Sequence, residues 1–291
     1  MKKIITASII AALALSAQAA QMLVGSFNLL GTYKKDHEFS DERLRLAARL
    51  VDYHEFDVFG TQENQFWQTE GLLKSGVYAC VGVNVEGETP SAKNRWTNNI
   101  FYKKDRFEML ESGAFFLTPT PDTPSKAAEW GEKQFRNCNW AKFKDKISGK
   151  EFFFFNTHFG LTPKARLNAA KLFVQKIAEI TKGATFFTSG DYNTSQTETA
   201  TLDALLKTEP QLLFDSWKIS KMPPYGPKGS FAGMLYNRPI RNSRVAGNPV
   251  SKIDYIFVSK DVKVQKCAVI TDNIGGAYPS DHMPIEAHVE F

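Results

Sequence analysis

The chain has 291 residues, 43% hydrophobic and 23% charged, with a formal net charge of +5 at pH 7. That composition excludes a disordered chain, a collagen-like rod and a bundle of membrane spans, and it suffices for one large domain or two small ones. The mild positive charge tolerates a polyanionic substrate without requiring one.

The N-terminus stands apart from the rest. Met1-Lys2-Lys3 is basic, Ile4 to Ser16 is mostly apolar, and Ala17-Gln18-Ala19 is a small-x-small pattern, which together read as a secretory signal peptide. The apolar run falls short of the ~20 residues a membrane helix needs. No cysteine stands near the cleavage point, and no later stretch is long and apolar enough to span a bilayer. A mature domain over residues 20–291 is expected, periplasmic or secreted. Without Lys2 and Lys3 its charge is +3, from 34 basic and 31 acidic residues. Export permits disulfides, but Cys80, Cys138 and Cys267 are odd in number, so at least one is free or pairs between chains.

Met22 to Leu29 predicts a strand that delivers Asn28 at its end. A helix follows from Ser40 as N-cap, with Asp41 and Glu42 in its first turn, where carboxylates suit the dipole, and with Leu44, Ala47, Ala48 and Val51 on one face. Phe56 to Thr61 reads as a strand, with Gln62-Glu63-Asn64 directly after it and a helix over Asn64 to Leu73. Glu63 is therefore either a first-turn helix carboxylate or an acid presented at a strand end. Val81 to Thr97 is a long polar loop, Asn98 to Tyr102 a strand, and Leu117 to Gly131 a proline-rich loop. Arg136 to Ala141 alternates as a strand and sets Arg136 among apolar neighbours. Such an arginine either snorkels to solvent or grips a carboxylate or phosphate.

Glu151 to Phe155 is the most apolar strand of the mature chain and runs into Asn156-Thr157-His158. Thr162 as N-cap and Pro163 at the first helical position begin a helix over Lys164 to Ile180, with Ala170, Phe173, Val174 and Ile177 inward. Ala184 to Thr188 is a buried strand, and Ser189-Gly190-Asp191-Tyr192-Asn193 stands just past it. There a carboxylate and a carboxamide lie beside a glycine that lets another group approach closely; the alternative is a polar turn closed by an Asx bond. A short helix covers Leu202 to Leu206. Lys218 to Asn248 is a basic loop in which Tyr225, Phe231 and Tyr236 interleave with lysines and arginines, either a solvated linker or a wall for an anionic substrate. Lys252 to Val258 is a strand with one inconvenient acid, Asp254; Val262 to Ile270 is another; and Ser280-Asp281-His282-Met283-Pro284 precedes a closing strand over Glu286 to Phe291.

Glu63, Asp191, Asp254, Asp281, Asn28, Asn156, Asn193, His158 and His282 thus all fall at strand ends. Two stacked sheets would gather those ends on one rim. The hard oxygens among them suit Mg²⁺, Mn²⁺ or Ca²⁺ rather than zinc.

In that order Asn28, Gln62-Glu63, Asn156-Thr157-His158, Gly190-Asp191-Tyr192-Asn193, Ile253-Asp254-Tyr255-Ile256 and Ser280-Asp281-His282-Met283-Pro284 resemble the motifs of the endonuclease/exonuclease/phosphatase superfamily, the deoxyribonuclease-I-like group of metal-dependent phosphoesterases. Gly113-Ala114-Phe115-Phe116-Leu117, the loop to Trp130, Arg136 before Trp140, and Gly229-Ser230-Phe231 are similar to a secreted bacterial branch. The resemblance implies a four-layer α/β sandwich, with two mixed β-sheets face to face and helices outside. It implies a divalent cation (Mg²⁺, or Mn²⁺ or Ca²⁺) held by Glu63 with Asn28 and Asp281, and in-line attack by a water that Asp191 activates. Asn193 would donate to the transition state. His282 would contact the phosphoryl oxygens, with Asp254 fixing its tautomer and charge. His158 would donate to phosphate and protonate the leaving group, with Asn156 and Arg136 supporting that substrate wall. Two positions depart from the pattern: Asn98 stands where many relatives carry an acid, and Tyr192 replaces the usual Phe. The expected function is hydrolysis of a phosphate ester, a nucleic acid or a phosphorylated small molecule, by a monomer with no membrane span. The rival is a phosphate-ligand-binding module that keeps the groove without the chemistry.

Overall fold

The computed structural model describes residues 19–31, 37–91, 96–232 and 251–291, with side chains of 37–40 left aside. Residues 1–18 of the expected signal peptide and the stretch of basic loop with Tyr236, Arg238, Arg241 and Arg244 lie outside the described residues.

In chain order the elements are β1 (Gln21–Asn28), α1 (His37–His54), β2 (Val58–Gln62), α2 (Phe66–Leu73), β3 (Tyr78–Val81), β4 (Ile100–Lys103), β5 (Phe107–Phe116) and β6 (Asn137–Asp145). They continue with β7 (Glu151–His158), α3 (Pro163–Thr181), β8 (Phe186–Asp191), α4 (Thr199–Leu206), β9 (Phe214–Asp215), α5 (Ser216–Ile219), β10 (Asp254–Val258), β11 (Lys263–Val269) and β12 (Ile285–Glu290). One six-stranded sheet has the order β11-β12-β1-β2-β4-β3 and the other β5-β6-β7-β8-β10-β9. Each is mixed, with a single parallel pair, β1–β2 in the first and β7–β8 in the second. In the first sheet β12 runs antiparallel between β11 and β1, and its register with β1 extends from Gln21 opposite Glu290 to Ser26 opposite Ile285.

The run Phe152-Phe153-Phe154-Phe155 shows how the layers arise. Side chains alternate across a strand. Phe152 and Phe154 therefore enter the core between the sheets, with Val24, Val58, Ile100 and Ile256. Phe153 and Phe155 enter a second core beneath α3 and α4, with Phe173, Ile177 and Leu205. A third core packs α1 and α2 on the first sheet through Leu50, Val51, Phe59 and Leu72. A strand buried on both faces reads as continuously apolar, and this places helices outside both sheets, as expected.

Several boundaries differ from the sequence expectation. α1 begins at His37, so Ser40 lies inside the helix rather than capping it, and of the expected face Ala47 and Val51 are buried while Leu44 and Ala48 are half-buried, the stripe being completed by Arg43, Leu46 and Leu50. Asp191 is the last residue of β8 and Asp254 the first of β10, so both acids belong to the sheet ladder. The strands β3, β5 and β9 add to those expected. Part of the basic loop is ordered: Tyr225 bridges to Ala268, and Phe231 bridges to Ser251 and His282. Thr162 caps α3 as expected, its Oγ1 accepting from the Ala165 N–H at 3.2 Å. All three cysteines are free. Among the described residues no helix is long and apolar enough to cross a membrane.

On the outer face of the first sheet, Glu286 lies between His54 (3.5 Å) and His288 (3.6 Å), and His54 also meets Asp272 at 2.9 Å. Burial alone would raise the Glu286 pKa, but the bonds and charges of His288 and His54 override it and pull it down to about 2. Bonding to Glu286 in turn raises His54 above its usual value. A depressed carboxylate stabilises above its unfolded pKa and loses that contribution as pH falls; a raised histidine stabilises below its unfolded pKa and loses it as pH rises. The pair therefore contributes most at about pH 5–6, between the two unfolded pKa values. Glu286→Gln is expected to reduce stability by about 1 kcal/mol there and by less near pH 9. Urea denaturation of both proteins at several pH values measures this, and a difference that stays constant from pH 5 to 9 contradicts it.

Candidate active site

Topology gathers the polar strand ends. β1 and β2 run parallel and stop together at Asn28 and Gln62; β7 and β8 do the same at His158 and Asp191. β10 and β12 are antiparallel to β8 and β1, so Asp254 and the segment entering β12 start where their neighbours stop. All the expected site residues therefore border one end of the sandwich.

Beneath this rim the sheets are joined by amides. Asn156 donates from Nδ2 to the carbonyls of Thr61 (2.8 Å) and Asn99 (2.9 Å), and its Oδ1 accepts from Gln62 (2.7 Å) and Ser189 (3.0 Å). Both amide hydrogens are used and the residue is fully buried. This differs from the expected substrate contact: the carboxamide ties the two sheets together. Gly60 permits the close approach, since a side chain there would collide with Ser189 and Asn156. Asn98 belongs to the same seam, donating to Asn137 Oδ1 at 2.7 Å and to the Asn137 carbonyl at 3.2 Å. A carboxylate at that position would offer no donor to those two oxygens. Tyr192 is also buried, its hydroxyl 2.8 Å from Thr188 Oγ1.

Asp191 is the junction of the site. Its Oδ2 accepts from Asn28 Nδ2 at 3.0 Å and lies 3.3 Å from His158 Nε2 and 3.7 Å from His282 Nε2. Its Oδ1 accepts from the Asn193 N–H at 2.9 Å. Burial raises the Asp191 pKa, and the His282 cation opposes that rise. His282 Nδ1 meets Asp254 Oδ2 at 2.9 Å. Burial would lower the His282 pKa, but the carboxylates of Asp254 and Asp191 prevail and raise it to about 10. His282 is therefore protonated at neutral pH. His158 behaves oppositely, because burial, with the charges of Arg136 and His282, lowers its pKa well below the usual value. That shift favours the neutral imidazole in the free protein.

Ser230 completes the Asp254–His282 pair. Its hydroxyl donates to Asp254 Oδ2 at 2.6 Å and accepts from the backbone N–H groups of Ile253 and Asp254 at 3.2 and 3.1 Å. The next residue, Phe231, lies 4.9 Å from the His282 ring, centroid to centroid, and remains 38% exposed. Sequence reasoning assigned neither a role. Gly229-Ser230-Phe231 was visible as a motif, but the separation from Asp254 hid the contact.

Asn193 has φ of 49° and Glu63 φ of 54°, both in the left-handed region. Strained non-glycine backbone of this kind gathers at functional sites, where surrounding bonds hold it. Asn193 donates one amide hydrogen to the Phe159 carbonyl at 3.0 Å, and its second amide hydrogen is available to a ligand. Glu63 Oε2 accepts from the Gly31 N–H at 3.1 Å. Burial raises the Glu63 pKa, His282 opposes the rise, and the charge of Asp281 adds to it. Arg136 is 4% exposed with a buried Nε that has no partner. Burial lowers its pKa against the charges of Glu132, Asp191 and Glu63.

Two groupings merit comparison as cation sites. Ligand atoms of Asp191, Asp254 and His282 lie within 4.8 Å of one another. There the imidazole of His282 already meets Asp254 at 2.9 Å and faces Asp191 at 3.7 Å, and as a metal ligand it would have to be unprotonated. Glu63, Asp281 and Asn28 form the second grouping. Two carboxylates whose charges oppose each other, with a neighbouring amide oxygen, form the hard donor set a divalent cation takes.

The model of the Endonuclease/Exonuclease/phosphatase family matches residues 25–282. An endonuclease/exonuclease/phosphatase family protein from Bacteroides thetaiotaomicron is 30% identical, with TM-score 0.82, over 94% of this chain and 99% of that one. A mannosyl-6-phosphatase from the same organism is 31% identical, with TM-score 0.81, over 93% of this chain and all of that one. D. rerio TDP2 complexed with single-strand DNA product, 20% identical over 94% of this chain and all of that one, shares the fold at TM-score 0.71. No curated protein matches the chain.

Proposed function

The chain belongs to the endonuclease/exonuclease/phosphatase family, and from that premise we propose that it is a divalent-cation-dependent phosphoesterase acting on a phosphorylated small molecule. The observation that carries this reading is the Asp191 carboxylate, which meets Asn28 and both site histidines on one buried oxygen. A bound cation would neutralise charge on the phosphoryl group and the leaving oxygen. Glu63, Asn28 and Asp281 are the residues to hold it. Asp191 takes the proton of the attacking water. The His282 cation faces the phosphoryl oxygens, held by Asp254 and Ser230. Asn193 and the unpaired Arg136 Nε supply hydrogen bonds that strengthen as negative charge develops. His158 donates from Nε2 to Asp191 and orients it. In this reading residues 1–19 direct export, so the enzyme acts in the periplasm or outside the cell.

A sugar phosphomonoester is the first substrate to offer, because the mannosyl-6-phosphatase resembles this chain over its whole length. The DNA-bound relative keeps nucleic acid as the second reading. Purified protein should be given mannose 6-phosphate, p-nitrophenyl phosphate, bis-p-nitrophenyl phosphate and plasmid DNA, with Mg²⁺, Mn²⁺ or Ca²⁺ or with chelator. The expected result is cation-dependent phosphate release from the monoesters while the plasmid stays intact. Rapid nicking with slow monoester turnover would make it a nuclease. No turnover of any substrate would favour the binding-module reading.

A further inference from the structure

A single guanidinium reaches the chain segments that carry the proposed cation ligands. Arg43, on the buried stripe of α1 and 4% exposed, donates from Nη1 to the carbonyls of Leu29 (3.2 Å), Leu30 (3.2 Å) and Pro279 (3.4 Å), and from Nη2 to that of Leu30 (3.1 Å). Leu29 and Leu30 directly follow Asn28, and Pro279 stands two residues before Asp281.

The turn that Arg43 grips controls two ligands. Leu30 adopts φ of 50°, a conformation that L-residues disfavour and that external bonds must hold. In that conformation the Leu30 N–H reaches Asn28 Oδ1 at 2.9 Å and the Gly31 N–H reaches Glu63 Oε2 at 3.1 Å. Asn28 and Glu63 are thereby oriented by one turn. The third ligand is tied to the same turn from the other side, where Ser280 Oγ donates to the Asn28 carbonyl at 2.6 Å. Gln68 adds a bond to the Leu29 carbonyl at 3.1 Å, but among these groups Arg43 spans both segments from a helix.

We propose that Arg43 is a positioning residue for the divalent cation, its planar fork holding the Asn28–Gly31 turn and the Pro279–Asp281 segment at the spacing that lets Asn28, Glu63 and Asp281 share one ion. This rests on the cation-dependent reading above. A lysine keeps the charge but is a point donor on a flexible stem, and cannot replace a fork that serves several acceptors at once. Outer-shell partners that orient metal ligands typically govern metal affinity by about 10- to 100-fold.

The test measures Tb³⁺ luminescence excited through tryptophan and its displacement by Mg²⁺, in the parent protein, Arg43→Lys, Arg43→Met and Glu63→Gln. Trp96 is a built-in antenna, since its indole occupies the space beside Gly31 and Glu63 that a Gly31 side chain would need. The expected result is parent binding that Glu63→Gln abolishes, and a Kd for Tb³⁺ and Mg²⁺ weakened about 10- to 100-fold in both Arg43 variants. Phosphatase activity of Arg43→Lys should return toward the parent value at saturating Mg²⁺, which a general folding defect would not allow. If Arg43→Met does not fold, Arg43→Lys decides. Unchanged affinity in a folded Arg43 variant overturns the proposal and leaves the proposed function standing. A parent protein that binds neither ion at Glu63 overturns the cation-dependent reading, and this proposal with it.

Discussion

Asp191→Asn should lower kcat by about 10²- to 10⁴-fold at saturating cation, the range associated with loss of a positioned proton acceptor. The substitution is nearly isosteric, so the β8–β10 register that places residue 191 opposite residue 254 is retained. What changes is one oxygen. Asp191 Oδ2 accepts from Asn28 at 3.0 Å and faces two imidazole nitrogens. An amide offers one carbonyl oxygen to these three partners and places N–H donors where Oδ1 accepts from the Asn193 backbone. Removing the base and disturbing the Asn193 turn act on the same transition state. In the proposed reading ground-state binding rests chiefly on Arg136 and the cation, neither of which bonds residue 191, so KM should change less than kcat. Steady-state kinetics on the best monoester, with a thermal melt to confirm folding, measures the effect. Activity within tenfold of the parent would reject Asp191 as the base.

The largest effect on stability is expected from Phe152→Ala, about 3–5 kcal/mol, the usual cost of truncating a buried aromatic. Phe152 is fully buried between the sheets. Its ring lies 5.5 Å from Phe107, 5.6 Å from Phe143, 5.5 Å from Phe187 and 5.4 Å from Phe291, centroid to centroid. Those four neighbours come from β5, β6, β8 and the residue after β12, so a hole there loosens both sheets at once. Because the core is close-packed, its rings cannot collapse into the space without shifting strands. Ile147, 78% exposed in a turn, is the control, and Ile147→Ala should change stability by less than about 0.5 kcal/mol. Urea denaturation of the three proteins compares them. A Phe152→Ala loss below about 1 kcal/mol would show that this cluster is not a shared keystone.

The order of polar strand ends was legible in the sequence because each followed or preceded an apolar run at a definite offset. Asn28, Glu63, His158, Asp191, Asp254 and His282 are positioned by local chain pattern plus the alternation of strand directions. The short strands were not legible: Tyr78–Val81 and Phe214–Asp215 carry too few residues to show a period of two. Asn156 was legible as a strand-end amide but not as an inter-sheet tie, because its four partners come from β2, β8 and the residue before β4. The opposite charge states of the two histidines were equally hidden. Both meet their charged neighbours only after folding: burial with the charges of Arg136 and His282 lowers the His158 pKa, while the carboxylates of Asp254 and Asp191 raise that of His282.

The position of β12 beside β1 makes the candidate site a joint product of both sheets. Glu290 pairs with Gln21 and Ile285 with Ser26, contacts between chain segments separated by most of the sequence. Joining the two ends of the chain in one ladder adds long-range pairing to the local β11–β12 hairpin. The second sheet, from β5 to β10, can assemble through much more local pairings, and it already carries His158, Asp191 and Asp254. Asp281 and His282 join them only when the segment entering β12 is drawn in between β1 and β11. The proposed base and its partner Asp254 thus belong to one sheet while Asp281 and His282 arrive on the segment that enters the other, so the candidate site is whole only where both sheets are packed face to face.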